Sequence, residues 1–218
     1  MSLETMLSLL AQGFVRTLLI FFLTLAGSLP LGMLIYFAKK ARFAPLRGLI
    51  NVYISLMRGT PLMLQLMVVY YGPNLLFGVT LPSGWRFTAV LVAFIVNYAA
   101  YFAEIYRAGI ESIPAGQYEA ATVLGYSGTQ TFFRIILPQV IKRVVPPVTN
   151  EVITLVKDTS LASVIGIMEM FTRAKQIAVA PKSPGMLAFA AAALFYYVFN
   201  YAVAFGMARV EKSLDYYR

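Results

Sequence analysis

The sequence contains no cysteine and no histidine among its 218 residues. Disulfide bonds, thiolate or imidazole metal ligands, cysteine nucleophiles and histidine general bases are therefore excluded together, and no metal site is expected. Charge is also scarce, since Asp, Glu, Lys and Arg make up 12% of the chain and hydrophobic residues make up 60%. A soluble domain carries roughly 25% charged residues, and disordered chains are poor in apolar ones. The composition therefore indicates an integral membrane protein.

Acidic residues are half as common as basic residues, 9 against 18, which gives a formal net charge of +9. In a soluble protein such an excess would raise nucleic acid as a partner. In a membrane protein the excess is expected in the loops on the cytoplasmic side, where it sets orientation. The second explanation fits the composition, so the expected surroundings are membrane lipid and no nucleic acid.

Five stretches are apolar and long enough to span a bilayer, which takes about 20 residues per helix. They predict an all-α integral membrane protein with a single transmembrane domain over residues 1–218. The second stretch is interrupted at Arg58-Gly59-Thr60-Pro61, and the fourth carries three charged residues. The predicted spans are Phe14–Tyr36, Leu46–Tyr71, Phe87–Tyr106, Val144–Met168 and Met186–Met207.

The basic residues predict how these spans are oriented. Five spans put the two termini on opposite sides of the membrane. With the N-terminus outside, eleven basic residues fall in inside segments and four fall in outside segments. This asymmetry predicts that the N-terminus is outside and the C-terminus inside. The inside residues are Lys39, Lys40, Arg42, Arg47, Arg107, Arg134, Lys142, Arg143, Arg209, Lys212 and Arg218, and the outside residues are Arg86, Arg173, Lys175 and Lys182.

The longest predicted inside segment covers residues 107–143. Pro114 suits the start of a helix, and good helix formers fill Ala115–Leu124, so a short helix is predicted there. Gly125 suits its C-terminal stop, and a second helical pattern follows over Thr129–Leu137. The residues predict a compact knob, with an amphipathic loop resting on the headgroups as the alternative.

The same segment fits the pattern E-A-A, three residues, G, nine residues, I-x-L-P. It resembles the EAA motif of ATP-binding-cassette (ABC) importer permeases, and seven specified residues match at fixed spacing. The matching residues are Glu119, Ala120, Ala121, Gly125, Ile135, Leu137 and Pro138.

Three further segments extend the resemblance to the polar amino-acid permeases over nearly the whole chain. One is similar to R-G-T-P-L-x-x-Q-L, one to A-Y-x-A-E-I-x-R-A-G, and one to N-E…K-x-[ST]-[SA]-L…V-I-G. They occupy Arg58–Leu62 with Gln65-Leu66, Ala100–Gly109, and Asn150-Glu151 with Lys157–Leu161 and Val164–Gly166.

The resemblance implies a type I ABC importer permease fold and a transmembrane subunit of an ATP-driven amino-acid importer. Its expected partners are two cytoplasmic ATP-binding subunits, a second permease subunit, an extracytoplasmic amino-acid-binding protein and the amino acid. The sequence has no G-x-x-x-x-G-K-[ST] phosphate loop, so ATP and magnesium are expected on the partner ATPase and no cofactor on this chain. The resemblance also implies a prokaryotic inner-membrane location, and it assigns ATPase coupling to Ala115, Glu119, Ala120, Ala121, Gly125 and Pro138.

Ionisable side chains within the bilayer cost about 2.5–3.5 kcal/mol each on insertion scales, which makes them candidates for function. In the fourth span Glu151, Thr154 and Asp158 follow the spacing i, i+3, i+7 on one helix face, and Lys157 lies beside it. Charges of both signs suit a zwitterionic amino acid. The resemblance favours four pocket residues, namely Asn97, Glu151 and the pair Lys157-Asp158. The alternative is internal pairing of Lys157 with Glu151 or Asp158.

The third span places Asn97, Tyr101 and Glu104 on one face, and these residues are further substrate candidates. Glu104 lies near the predicted inner end, where pairing with Arg107 is the alternative role. Thr60 joins the candidates because it lies at the break in the second span, where it is placed to cap a new helix.

Two other function classes compete with an importer subunit. An ATP-independent channel or carrier would share the spans and the buried charges, but it does not explain a loop that matches the EAA pattern. A membrane enzyme has few candidates for catalysis without histidine or cysteine, so the chain is not expected to be an enzyme.

Overall fold

The computed structural model describes residues 2–181 and 185–214, and every regular element within them is helical. The all-α prediction is therefore confirmed, while Lys182 and Arg218 of the charge count lie outside the described residues. A π-helical turn at Phe132–Ile136 precedes α7, and a 3-10 helix at Thr159–Ile165 follows it. The helices are α1 (Leu3–Lys39), α2 (Ala44–Gly59), α3 (Leu62–Phe77), α4 (Trp85–Glu111), α5 (Ala115–Val123), α6 (Gly128–Thr131), α7 (Leu137–Asp158), α8 (Met170–Val179) and α9 (Met186–Ser213).

Three of the described helices, α1, α4 and α9, are long and apolar enough to cross a membrane by themselves. Helices α2 and α3 pass the same test only together, and they are bent by 112° at their junction. The second predicted span is therefore two helices rather than one. The break falls at the predicted position, because Thr60 and Pro61 both have extended backbone conformations and Pro61 has no N–H to donate.

The fourth predicted span, Val144–Met168, differs most from a regular spanning helix. Its α-helix ends at Asp158, and the chain tightens into the 3-10 helix before Gly166 takes a left-handed conformation. The hydroxyls of Thr159 and Ser160 donate to the carbonyls of Val156 and Lys157, at 2.7 and 2.8 Å. The two hydroxyls thus bond to backbone carbonyls where the helix changes.

Helix α1 packs against α4 at two glycines that allow the backbones to approach closely. A Cβ atom at Gly27 would lie 2.6 Å from Cδ1 of Ile95, and one at Gly32 would lie 2.8 Å from Cβ of Phe102. The facing residues of α4 are small as well, with Ala99 and Ala103 buried. Small residues at a helix crossing give dense van der Waals packing, which is the main attraction between helices in a bilayer.

Helix α4 lies at the centre of the fold, where its buried face packs against α1, α2, α3 and α7. Helix α9 differs, because large apolar side chains such as Leu194, Tyr197 and Tyr201 are more than 60% exposed. An uncovered apolar face of this kind fits contact with lipid or with another membrane subunit.

The segment after α5 differs in detail from the two short helices expected. The predicted first helix is present as α5, and Gly125 follows it with the expected positive φ of 77°. The second pattern does not form a separate helix, because α6 and the π-helical turn run directly into α7. Helix α7 also continues through Pro146 and Pro147.

Candidate functional site

The densest group of charges surrounds Glu104 on α4, whose side chain is 13% exposed. Lys39 Nζ lies 2.6 Å from Glu104 Oε1, Arg107 Nη2 lies 2.8 Å from Oε2, and Arg58 Nη1 lies 3.8 Å from Oε2. Arg107 also pairs with Glu111 one helical turn further along. This group, which we call the Glu104 cluster, joins the end of α1, the α2–α3 break and α4. Glu104 thus makes the contact with Arg107 that was its alternative role.

A cavity of about 540 Å³ opens beside the Glu104 cluster. Its walls include three of the predicted substrate residues, Tyr101, Glu104 and Glu151, together with Arg58 and Arg143. The Arg58 guanidinium lies over the Tyr101 ring, 5.5 Å from its centroid. Guanidinium and carboxylate groups facing one space have the chemistry to hold both ends of a zwitterion.

Asn97 is 4% exposed and lies in a network of hydrogen bonds at the α2–α3 break. Its side-chain amide donates to the Met57 carbonyl at 3.0 Å and to Gln65 Oε1 at 2.9 Å. Gln65 Nε2 in turn donates to the Thr60 hydroxyl at 2.7 Å. The structure therefore places Asn97 and Thr60 together, at the bend and not on the walls of the cavity beside Glu104.

Thr60 does not cap α3 as expected. Its hydroxyl donates to the Leu56 carbonyl at 2.8 Å, and Pro61 occupies the N-cap position without a side-chain cap. The reason is the extended backbone at Thr60, which keeps its hydroxyl beside the last turn of α2. The sequence analysis did not predict Gln65 as a member of this hydrogen-bond network. Its signal was an amide in an otherwise apolar stretch, at the Q position of the R-G-T-P-L-x-x-Q-L segment.

The four polar residues of the fourth span do not converge on one site. Asp158 accepts a hydrogen bond from the buried Tyr98 hydroxyl at 2.8 Å. Thr154 is exposed and donates to a carbonyl of its own helix. Lys157 lines a separate cavity of about 290 Å³ between α7, α8 and α9. Among the described residues, no ion pair within 4 Å joins Lys157 to Glu151 or Asp158.

A further buried carboxylate, Glu169, was not among the predicted site residues. It is fully buried and caps α8, accepting from the backbone N–H groups of Phe171 and Thr172 at 2.6 and 2.7 Å and from the Tyr196 hydroxyl at 3.1 Å. Burial raises the pKa of its carboxyl, and these hydrogen bonds act in the opposite direction. Its signal in the sequence was an acidic residue directly before a short helical pattern.

The residues of the EAA pattern lie on a protruding segment. Helix α5 is exposed along its length except at Ala121, and Glu119 is among its exposed residues. Large apolar side chains accompany it, with Val123 88% and Leu124 72% exposed. Gln139 Nε2 donates to Gln117 Oε1 at 3.1 Å and ties α5 to the start of α7, where Pro138 lies. The described residues contain no group of three or more acidic side chains placed to hold a metal ion.

Comparison with protein families finds a match over residues 28–216 to the family described as "Binding-protein-dependent transport system inner membrane component". Three curated relatives align over most of both chains. L-cystine transport system permease protein TcyB of Bacillus subtilis is 35% identical, with 96% of this chain and 88% of TcyB aligned. Arginine transport system permease protein ArtQ of the same organism is 37% identical, with 93% and 91% aligned. Glutamine transport system permease protein GlnP of Escherichia coli is 35% identical, with 94% and 93% aligned.

Chains of solved ABC transporter structures have a similar fold. A crystal structure of an amino acid ABC transporter with histidines contains a chain that matches with a TM-score of 0.85 and 31% identity, covering 98% of this chain and 99% of that one. The MetNI methionine ABC transporter in an inward-facing conformation matches with a TM-score of 0.70 over the same shares, at 19% identity. The second likeness concerns the fold alone.

Proposed function

Because the chain belongs to the family of binding-protein-dependent transport system inner membrane components, we propose that it forms the translocation pathway of an ATP-driven importer of polar amino acids. Members of this family are inner-membrane transport subunits, and ATP hydrolysis belongs to separate subunits, so the chain is not an enzyme. The observation that carries the proposal is the likeness to a chain of an amino acid ABC transporter across 98% of this sequence.

The proposed cargo is an amino acid with its zwitterionic groups exposed. The relatives are named for transport of cystine, arginine and glutamine, which share an α-carboxylate and an α-ammonium. The cavity beside Glu104 supports this class, because Arg58 and Arg143 offer cations and Glu151 offers a carboxylate within one space. Asp158, bound by Tyr98, is proposed as a second carboxylate along the path, and Lys157 as a cation.

The proposed topology has five spans with the N-terminus outside and the C-terminus inside. Helices α1, α4 and α9 are spans by themselves, and α2 with α3 form one broken span. Helix α7 and the 3-10 helix after it complete the set, because α7 packs against both α4 and α9. The distribution of basic residues supports the orientation. With this orientation, the Glu104 cluster would lie at the inner end of the bundle.

The proposed partners bind at three places. Helix α5 docks on a cytoplasmic ATP-binding subunit, because it protrudes and carries uncovered apolar side chains. A second permease subunit, identical or similar, covers the exposed face of α9. An extracytoplasmic binding protein delivers the amino acid to the outer side.

The proposal is tested by reconstituting the chain with its ATP-binding subunits and binding protein in lipid vesicles. Uptake of radiolabelled L-arginine, L-glutamine and L-cystine and the rate of ATP hydrolysis are measured together. We expect at least one of the three to enter in an ATP-dependent way and to stimulate hydrolysis. Flux of equal size without ATP would instead establish a passive carrier or channel.

Coupling through α5 is tested with Glu119→Lys. The reversed charge lies on the exposed face of α5, so it should weaken attachment of the ATP-binding subunit and lower amino-acid-stimulated hydrolysis about tenfold. The matched control is Glu4→Lys, which makes the same change on an exposed residue at the far end of α1. Equal activity of both variants would contradict the coupling role of Glu119.

A further inference from the structure

A second large cavity, about 520 Å³, lies at the opposite end of α4 from the Glu104 cluster. Its walls come from α1, from α3, from the loop and first turn of α4, and from the exit of the 3-10 helix at Gly166. Arg16 and Arg86 line it, together with the aromatic side chains of Tyr70 and Trp85. In the proposed orientation this cavity opens on the outer side, and we call it the outer cavity.

The two arginines of the outer cavity have no acidic partner in the part of the chain that the structure describes. None of the residues that line the cavity is Asp or Glu, and among the described residues neither Arg16 nor Arg86 makes an ion pair or a side-chain hydrogen bond. Arg86 makes a cation–π contact, with its guanidinium 6.0 Å from the centroid of the Tyr70 ring. Two like charges that face one concave space are stabilised by an anion that enters it.

The chemistry of the cavity favours a carboxylate. A guanidinium presents its N–H donors in a planar fork that matches the two oxygens of a carboxylate. The aromatic walls offer apolar contact to the rest of a small molecule, and the volume is ample for one amino acid.

The position of the cavity connects it with the proposed path. The 3-10 helix starts directly after Asp158 and ends at Gly166, which borders the cavity. Gly166 has a φ of 75°, and a Cβ atom there would lie 3.6 Å from Arg86 Nη1. A side chain at this position would be strained and would extend over the guanidinium, so glycine keeps Arg86 accessible.

We propose that Arg16 and Arg86 form an entry subsite that holds the carboxylate of the amino acid after the binding protein releases it. This inference rests on the proposed function and adds a site to it. The arginines orient the amino acid with its carboxylate toward the outer side, so that its ammonium group leads toward Asp158. The subsite acts on transfer of the amino acid and not on attachment of the binding protein.

The test compares Arg16→Gln, Arg86→Gln and the double variant with wild type in the reconstituted transporter. Uptake of radiolabelled L-arginine, L-glutamine and L-cystine is measured per ATP hydrolysed while the concentration of loaded binding protein is varied. We expect each single variant to lower maximal uptake, and uptake per ATP, about tenfold, which is the typical effect of losing a charged hydrogen bond. The half-saturating concentration of binding protein should change less than about twofold.

Two matched variants give the controls. Lys175→Gln removes a positive charge from an exposed position on α8 outside the cavity, and it should leave uptake per ATP unchanged. Arg86→Lys keeps the charge and should restore part of the lost uptake.

Several results would overturn the subsite. A raised half-saturating concentration with unchanged maximal uptake would mean that the arginines dock the binding protein instead. Equal losses in the Lys175→Gln variant would mean a general charge effect, and wild-type uptake in all arginine variants would remove the subsite while leaving the proposed function intact. If wild type imports none of the three amino acids, the proposed function fails and the subsite falls with it.

Discussion

The two ends of α4 differ in whether the positively charged side chains near them are paired with an acidic residue. At its C-terminal end, the cations of Lys39 and Arg107 lie within 2.8 Å of the Glu104 carboxylate, and Arg58 lies 3.8 Å from it. At its N-terminal end, Arg16 and Arg86 line a cavity whose described walls contain no acidic residue. The paired cations at one end of α4 connect it to neighbouring helices, whereas the arginines at the other end are accessible to a ligand. The partners of a charged residue, rather than its presence in a membrane protein, separate a structural role from a ligand-binding one.

The largest effect should come from Glu104→Ala, which removes the one acid shared by three cations. The half-buried Lys39 would then lose its counter-charge, and Arg107 would be left with the more exposed Glu111, so we expect the free energy of unfolding to fall by about 3 kcal/mol. Reversible unfolding of the purified protein in mixed micelles measures the change.

The control for Glu104→Ala is Glu111→Ala, whose side chain is 49% exposed and pairs only with Arg107. Exposed pairs of this kind contribute below about 1 kcal/mol. Equal losses in the two variants would show that Glu104 does not hold α1, α2 and α4 together. The structural role assigned to the Glu104 cluster would then be wrong.

An intermediate effect is expected for Asn97→Leu at the α2–α3 break. Leucine has a similar volume but cannot donate to Gln65 Oε1 or to the Met57 carbonyl. The half-buried Gln65 oxygen would lose this donor, and the Met57 carbonyl would be left with the hydrogen bond from Gln65 Nε2. The expected loss in the free energy of unfolding is about 2 kcal/mol, measured in the same micelles. Thr154→Val is the control, since the exposed Thr154 hydroxyl bonds only to its own helix and its removal should cost below about 0.5 kcal/mol. A loss no larger than the control's would contradict the role of Asn97 in holding the bend.

The smallest effect should be that of Arg86→Gln on stability. Because this arginine has no acidic partner among the described residues, its removal breaks no ion pair, and the free energy of unfolding should stay within about 0.5 kcal/mol of wild type. Thermal unfolding followed by the loss of the monodisperse peak in size-exclusion chromatography gives an independent measure. A loss as large as that of Glu104→Ala would show that the outer arginine is structural too.

Local patterns in the sequence predicted much of the fold. The break at Arg58–Pro61, helix α5 and the left-handed Gly125 all depend on residues near one another in the chain, and each lies where it was expected. Apolar runs likewise predicted α1, α4 and α9, although each helix extends beyond its predicted span. The five-span count and the orientation remain predictions.

The candidate site was harder to predict because it depends on which helices become neighbours. The spacing of Glu151 and Lys157 placed them close in the chain, but the two side chains line different cavities. Asn97 was predicted as a substrate residue. Its hydrogen bond with Gln65 depends on the packing of α3 against α4, which the sequence does not show. Helical periodicity gives the face on which a residue lies, but it does not give the helix that the face meets.

The close crossing of α1 and α4 limits how the subunit can move. Because side chains do not fit between the helices at Gly27 and Gly32, we expect the pair to behave as one rigid body during a transport cycle. Displacement must then be taken up at joints elsewhere, and Gly59, which has no neighbouring atom within 4 Å of a Cβ position, is placed to serve as such a hinge. Since the chain has no native cysteine, pairs of spin labels can be introduced one at a time, and their distances should stay fixed across α1 and α4 and change across the hinge.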